Sequence, residues 1–521
     1  MKDSETKYWL NGVLDKIEEK YPEGEVIISS GISPSADYHI GHFREILSSD
    51  MIKVGLQSRG RKARHLHVVD NFDPLRKRYD FLPKEYEKYV GWPICLVPDP
   101  EGCCDNYAQH YFKEFQRHIE RLNIEIEVVY SYEDLYKNGR MAGQIEIAIE
   151  KKDKIREIFS RVSNRDLPED WAPVQILSDD NNFNDWKYSG IDTAKKLIKY
   201  VDKQGNEGWV AYDDGRVKLN WRLDWPARWQ ILGVMVEPHG FQEHGASGGS
   251  FPTGLIFARE IYGFEGPMAG MQYGHVHLAG DSTKMSSSKG NLVTPEQAYE
   301  IMPPEMIKYF YLRYPGKKRI DFDPGMGLLR MMDEYSQVDS DVRRGKDNQF
   351  SAAYKLANTG LKTQGMSSVP FNHLVSIYQA ALGDETKIFK TLQRSGYSKE
   401  SKEQEKEIKN ELKYVKAWLD KWAPEEVKFT LSDNPPTDLN EKQKQLLKKL
   451  AEAIENSEGP RDGQWYHEQI HKQRQEVDLD AAGAFRAVYK VLLGQESGPK
   501  AGWFLSILNR DFLINRFKLQ A

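Results

Sequence analysis

Residues 25–70 constrain the fold more than any other stretch of the chain. EVIISSG at 25–31 is a short apolar run of the kind a buried strand needs, and SPSADY breaks it. From His39 to Leu56 the apolar residues Ile40, Phe43, Ile46, Leu47 and Met51 recur near helical spacing. HLHVVD at 65–70 reads as a second strand, followed by the polar Asn71 and Asp73. Strand, helix, strand at this spacing is a βαβ unit, which commits the chain to a parallel sheet covered by helices. Such sheets bind ligands at the carboxyl ends of their strands. Ser29 to Ser33 and Asp70 therefore fall at the expected site.

The chain has 521 residues, and at roughly 100–200 residues per domain it divides into three or four. Residues 95–210 read as an insertion, with helical stretches such as YFKEFQRHIERL and IEIAIEKKDKIREIF between polar turns such as SDDNNFND. WRLDWPARWQILGVMVEPHGFQEHGASGGSFPTG then returns to the first domain. GPMAGMQYGHVHLAG supplies a further strand and its exit, and the loop KMSSSKGN follows directly. Beyond about residue 340 the pattern turns helical. Ile408, Leu412, Val415, Leu419 and Trp422 fall at alternating spacings of four and three, Leu447, Leu450 and Ile454 continue the habit, and SDNPPTD at 432–438 interrupts it. The expected architecture is α/β: a Rossmann-type parallel-sheet domain carrying an insertion, then an all-α C-terminal domain. The expected boundaries are 1–94 and 211–275 for the two halves of the sheet domain, 95–210 for the insertion, 276–345 for the loop and stem-contact region, and 346–521 for the helical domain.

The formal net charge is -5, so contact with nucleic acid must come from local patches such as Arg59–Arg64 or Lys317–Arg319. The only cysteines are Cys95, Cys103 and Cys104; no CxxC pair exists, and so few suit a reducing compartment. MKDSETKYWL has no apolar signal core and no run approaches 18 apolar residues, so a cytoplasmic address without a membrane span is expected.

Two motifs carry chemistry. His39-Ile40-Gly41-His42 puts two imidazoles at i and i+3 on one side of a helix start, where free N–H groups already attract phosphate. Gly41 lets a nucleotide approach the backbone closely. Lys284-Met285-Ser286-Ser287-Ser288-Lys289-Gly290-Asn291 offers two ammonium groups and three hydroxyls to a triphosphate. Lys284 and Lys289 would neutralise charge developing on departing pyrophosphate, and Ser286, Ser287 and Ser288 would line the nucleotide.

In this order the two motifs resemble the HIGH and KMSKS signatures of class I aminoacyl-tRNA synthetases. The position of the second signature lysine is occupied by Ser287 in one register, with Lys289 compensating. The wider text resembles the class I lysyl-tRNA synthetases over nearly the whole chain, in SGISPSADYHIGHFREIL, VVDNFDPLRK, WRLDWPARW, EHGASGGS, KMSSSKGN and GPKAGWFLSILNRDFLINR. That resemblance implies ligation of lysine to tRNA(Lys) through a lysyl-adenylate, with ATP and its Mg2+ as substrate and a monomeric enzyme. It implies that Gly31 and Ser33 lie beside the amino acid, and that Trp221, His244 and Tyr273 shape its pocket. Lysine needs a channel for four methylenes and an anion for its ammonium; aromatic faces add cation–π attraction. Glu45, Asp224, Glu237 and Glu243 are all eligible as that anion, and at least one of Trp221, Trp225 and Trp229 is expected to be core. The helical tail would bind the anticodon, with Trp465, Tyr466, Arg474, Trp503, Arg510 and Arg516 as its aromatic and basic surface, most of the aromatics being core.

The text departs from the resemblance in two places. Ser35-Ala36-Asp37 stands where relatives have a serine–glycine turn. Trp171-Ala172-Pro173 is followed by VQILSDDNNFND, without the cysteines of a metal knuckle, so no metal ligand and no structural zinc are expected. Three other readings compete: a class I synthetase for glutamate or glutamine, whose pocket would present a fixed cation; a small nucleotidyltransferase, normally much shorter; and a non-catalytic relative retained as an RNA-binding protein.

Overall fold

A computed structural model describes residues 8–245, 248–281, 285, 292–361, 365–432, 434, 438–459 and 461–520. The side chains of residues 242 and 243 are outside the description. The chain divides into two units: one built mainly from residues 1–298 with 307–322, the other mainly from 323–354 and 362–521.

The first unit is organised by a parallel sheet. β1 (Val26–Ile32) pairs in parallel with β2 (Ala63–Val69), and β2 with β3 (Glu127–Tyr130). On the other side of β1, Ile28 bridges Val236 and Val236 bridges Met268, both in parallel; His239–Gly240 pairs with Gln272–Tyr273 just beyond. Taken in chain order, the strands lie 3-2-1-4-5, so the direction of winding reverses between β1 and the segment at 236–240. Doubly wound sheets open their ligand crevice at this reversal.

α1 (Trp9–Lys20) and α2 (Phe43–Ser58) accompany the first strands, and α3 (Tyr107–Arg121) leads into β3. Phe43, Ile46, Leu47, Ile52 and Leu56 of α2 are all buried. Arg44, buried in the same helix, donates to the carbonyls of Tyr311 (2.9 Å) and Gly316 (2.9 Å), which pins α2 to that segment. Asn106 caps α3 by accepting from the Gln109 N–H at 2.9 Å.

The stretch 95–210, expected as an insertion, is not one throughout: β3 lies within it and completes one side of the sheet. Beyond β3, helices Ala142–Glu150 and Lys152–Ser163 are followed by a three-stranded antiparallel meander, Lys187–Asp192, Leu197–Val201 and Glu207–Ala211. Ile198 and Val210 face inward and Trp186 stacks on Tyr200 at 3.8 Å between centroids.

In the second unit every described element longer than a turn is helical, from Met326–Arg343 to Arg510–Phe517. As a compact unit it comprises residues 299–306, 323–354 and 362–521. Ile408, Leu412 and Val415 are buried as their spacing requires, but the aromatic that completes the stripe is Trp418, fully buried, and not Trp422. Leu447, Leu450 and Ile454 are buried too. No described helix is long and apolar enough to cross a membrane.

Candidate active site

The winding reversal opens a cavity of about 370 Å3, within the range of small-ligand sites. Its lining includes Ser29–Ser33 from β1, Asp70 and Asp73 after β2, Glu237 and His239 from the neighbouring segment, and Trp221, Trp225 and Arg228 from helix Trp221–Leu232. Gly31, Ser33, Trp221, His244 and Tyr273, separated by more than 240 residues of chain, all border this one space.

Acidic groups dominate its floor. Glu45 accepts from the Gly31 N–H at 2.9 Å and from the Tyr273 hydroxyl at 3.1 Å. Burial pushes its carboxyl up to about 7, against the help of the Gly31 bond. Glu237, 6% exposed, accepts from the indole N–H groups of Trp225 (2.7 Å) and Trp229 (2.6 Å). Burial raises it to about 7 as well, and the two indole bonds oppose the shift. Asp70 is raised to about 6 by burial despite its bond from Arg228. Burial also opposes ionisation of Asp73, but Lys218 and Arg228 outweigh it and hold that group low.

Behind this floor runs a buried ionic network. Arg228 spans Asp70 and Asp224, and Lys218 spans Asp73 (3.2 Å) and Asp224 (3.7 Å). Tyr136 donates to Asp224 at 2.5 Å. Ser33 donates to Asp73 at 3.0 Å, so the network reaches the cavity wall. Of the four acids eligible from sequence, Asp224 is therefore committed to two cations and a phenol, and does not line the cavity. Glu45 and Glu237 do line it, and the Glu243 side chain is outside the description. Trp229 is 1% exposed and is the core member of the tryptophan trio. Trp221 is 40% exposed and Trp225 lies between, its ring 5.4 Å from that of His244.

Ser33 also borders a second cavity, lined by Asp37, Tyr38, His39, His42, Lys77, Arg78 and Met285 among others. His39 is the N-cap of a short 3-10 turn, Ile40–His42, that leads straight into α2. Its Nδ1 accepts from the Gly41 N–H at 3.0 Å, and the His42 Nδ1 accepts from the His39 N–H at 3.1 Å. For His39, Nδ1 as acceptor puts the hydrogen of the neutral ring on Nε2; the His42 Nδ1 also lies 3.2 Å from the His39 carbonyl oxygen. The rings lie 4.0 Å apart. A Cβ on Gly41 would meet the His39 imidazole at 2.6 Å, so glycine is required by the motif's own packing. Asp37 does not adopt the left-handed conformation open to it. Lys284, Ser286, Ser287, Ser288 and Lys289 lie outside the described residues; their neighbour Met285, 2% exposed, borders the same cavity as the two histidines.

A family model described as class I tRNA synthetases (K) matches residues 7–360. The chain belongs to that family. The lysine–tRNA ligase of Archaeoglobus fulgidus is 35% identical over 94% of this chain and 96% of its own. That of Methanosarcina barkeri is 36% identical over 99% and 98%, and that of Pyrococcus horikoshii 32% over 98% and 99%.

This class I synthetase also gathers four side chains of metal-ligating type away from these two cavities. The ligand atoms of Asp99, Cys103, Cys104 and His110 all lie within 4.8 Å of one another. The Cys103 Sγ is 3.4 Å from the Cys104 Sγ and 3.3 Å from the His110 Nδ1, which is 2.9 Å from an Asp99 oxygen. Around zinc with Zn–S of about 2.3 Å, a tetrahedral edge is about 3.8 Å, so the donors need to spread by only a few tenths of an ångström. The four donors come from the loop 99–104 and from the start of α3.

Proposed function

We propose that this synthetase activates L-lysine with ATP and ligates it to tRNA(Lys), with Glu45 receiving the lysine ammonium. The observation that carries the reading is the charge balance of the first cavity. Its buried network sets three carboxylates, Asp70, Asp73 and Asp224, against two cations, Arg228 and Lys218, and both cations are already paired. Glu45 and Glu237 add two further acids. With the exposed Arg76 at the rim as the one further cationic lining residue described, acids still outnumber cations, so a ligand cation is favoured, whereas glutamate would need an uncommitted buried cation. Between the two glutamates, Glu237 is the more buried and holds two indoles, while Glu45 borders the open space with Tyr273. The side faces of Trp221 and Trp225 suit the four methylenes.

The neighbouring cavity with His39, His42 and Met285 is assigned to the ATP phosphates, with Mg2+ accompanying the triphosphate. The lysine carboxylate attacks the α-phosphorus; a P–O bond forms and the bond to pyrophosphate breaks. His39 and His42 donate to phosphate oxygens, and Lys284 and Lys289 offset charge on the leaving group. A tRNA ribose hydroxyl then attacks the mixed anhydride: the ester bond forms, AMP leaves, and the hydroxyl proton passes to phosphate or solvent. No protein nucleophile is needed, because positioning and charge supply the rate. ATP–pyrophosphate exchange across the twenty amino acids, with and without tRNA, tests the reading. Exchange is expected with lysine; a preference for glutamate or glutamine would overturn it.

A further inference from the structure

The two imidazoles of the phosphate cavity are carried by a turn whose backbone is held from outside it. Ile40, which lies between them in sequence, spends both its N–H and its carbonyl on distant chain. The N–H donates to the Val293 carbonyl at 3.0 Å, and the carbonyl accepts from the Tyr311 hydroxyl. Val293 stands two residues past Asn291, where the KMSSSKGN stretch ends. It leads into a well-anchored helix, Pro295–Ile301. At the start of that helix the Thr294 N–H donates to the Gln297 side chain at 2.9 Å and the Gln297 N–H to the Thr294 hydroxyl at 3.2 Å. The Glu296 carboxylate lies 3.0 Å from the His118 Nε2 of α3. Tyr311, 1% exposed, sits near the end of helix Pro304–Leu312. It is tied to the histidine segment twice, because its own carbonyl accepts from the Arg44 Nη1 at 2.9 Å. One buried tyrosine therefore joins residue 40, in the turn, to residue 44, in the first turn of α2.

Tyr311 lines neither the amino-acid cavity nor the phosphate cavity, so its influence on chemistry runs through the turn. Both rings hang on peptide groups that flank Ile40: the His39 Nδ1 on the Gly41 N–H, and the His42 Nδ1 on the His39 N–H. A rotation of the Ile40 backbone moves these N–H groups and re-aims the rings with them. Without the hydroxyl, the Ile40 carbonyl is left with the Phe43 N–H of the turn itself, and the hold from outside is lost on that side. Donors that stabilise a transition state must be set in place beforehand, and a misplacement of about 1 Å can cost about 100-fold. We propose that Tyr311 is a positioning residue for His39 and His42: together with the Val293 carbonyl it clamps Ile40 and fixes the aim of both imidazoles at the ATP phosphates. The same clamp ties the histidine turn to the segment that follows KMSSSKGN.

This role rests on the proposed adenylation, and the test separates the two. Tyr311→Phe, made in the full chain, removes the hydroxyl and keeps the ring. kcat for lysine-dependent pyrophosphate exchange should fall by roughly 10- to 100-fold, while calorimetric titration with lysine gives the parent's affinity and the parent's number of sites. A merely structural role would lower the number of sites in step with kcat; that result overturns the proposal, and so does a kcat within about threefold of the parent's. Tyr311→Phe is then combined with His39→Asn and, separately, with His42→Asn. A residue that acts through an imidazole loses its effect once that imidazole is gone, so in at least one background the factor should shrink to within about threefold. The full factor in both backgrounds overturns the proposal. Hydrogen exchange in the parent decides the case in which the variant does not fold: the Ile40 N–H should exchange as slowly as those of Ile46 and Leu47 in α2, and exchange at the rate of an exposed loop overturns the clamp. Absence of pyrophosphate exchange in the parent would instead strike the proposed activity, with the hydrogen-exchange result still deciding the clamp.

Discussion

Glu45→Gln tests the ammonium assignment with little structural disturbance. In the parent, one carboxylate oxygen accepts from the Gly31 N–H and the other from the Tyr273 hydroxyl. Glutamine keeps a carbonyl oxygen for Gly31, and its amide can donate to Tyr273, because a phenol both donates and accepts. No group is left unsatisfied, so stability should change by less than about 1 kcal/mol. The charge, however, is gone. Removing one partner of a buried ion pair costs about 2–5 kcal/mol, and each 1.4 kcal/mol is about a factor of ten. kcat/KM for lysine in pyrophosphate exchange should therefore fall by roughly 30- to 3,000-fold, with KM for ATP unchanged. Norleucine, which has the same chain length without the ammonium, provides the control: the parent's preference for lysine over norleucine should narrow by the same factor. A variant that keeps lysine kcat/KM within about threefold of the parent, or loses activity without changing that preference, would refute the role of Glu45.

Glu237→Gln should behave oppositely. Indole N–H groups only donate, so glutamine must turn its own amide toward Trp225 or Trp229; destabilisation of about 1–3 kcal/mol in denaturant melts is expected, and an unchanged midpoint would remove Glu237 from its structural role. Lysine affinity should depend on pH, because binding the ammonium favours an ionised carboxylate while Glu45 and Glu237 are held up to about 7. Calorimetric titrations should show affinity weakening by about tenfold per pH unit below 7 for each proton that must be released, and a flat profile from pH 5.5 to 7 would contradict it. The unliganded protein runs the other way: carboxyls raised above the ordinary value near 4.3 add stability at low pH that is lost as pH rises through about 7, so the rise in Tm caused by saturating lysine should grow between pH 6 and 8. Lys284→Ala should slow exchange by about 100-fold or more through lost stabilisation of the leaving group, and an unchanged rate would refute the loop's role.

Much of the α/β framework was legible because its strands are short apolar runs between clear breaks. β1 and β2 fall within a residue or two of EVIISSG and HLHVVD. β3 was not legible: EVVY lies at one side of the sheet with Glu127 exposed and its other residues half-buried, so the apolar signal is diluted. The meander at 187–211 was missed for a related reason. KYSGID, LIKYV and EGWVA each bury few side chains, chiefly Ile198 and Val210, and the polar turns between them resemble a linker. In the helical unit the spacing of 408–422 gave the helix but not the identity of its buried aromatic. Position 418 is also compatible with the stripe, and only packing distinguishes it from 422.

Why sequence left four acids eligible for the ammonium follows from the same physics. The fitness of a carboxylate to receive a ligand cation depends on which cations already touch it, and those come from distant elements. Asp224 was eligible until Lys218, from the strand preceding its helix, and Arg228, one turn further along that helix, were seen to engage it. Neither cation draws notice in the text: a lysine in VKL looks like a strand's solvent face, and an arginine in WPAR like an amphipathic helix edge. Both are nearly inaccessible, Lys218 at 2% and Arg228 at 6%, and buried charges of that kind persist only when paired. Their pairing removes Asp224 from competition; of the two eligible glutamates with described side chains, Glu237 is engaged by two indoles, whereas Glu45 is held by a backbone N–H and a phenol beside the open space. The specificity proposed for the site therefore comes less from Glu45 alone than from the two buried cations that have no charge left to offer a substrate carboxylate.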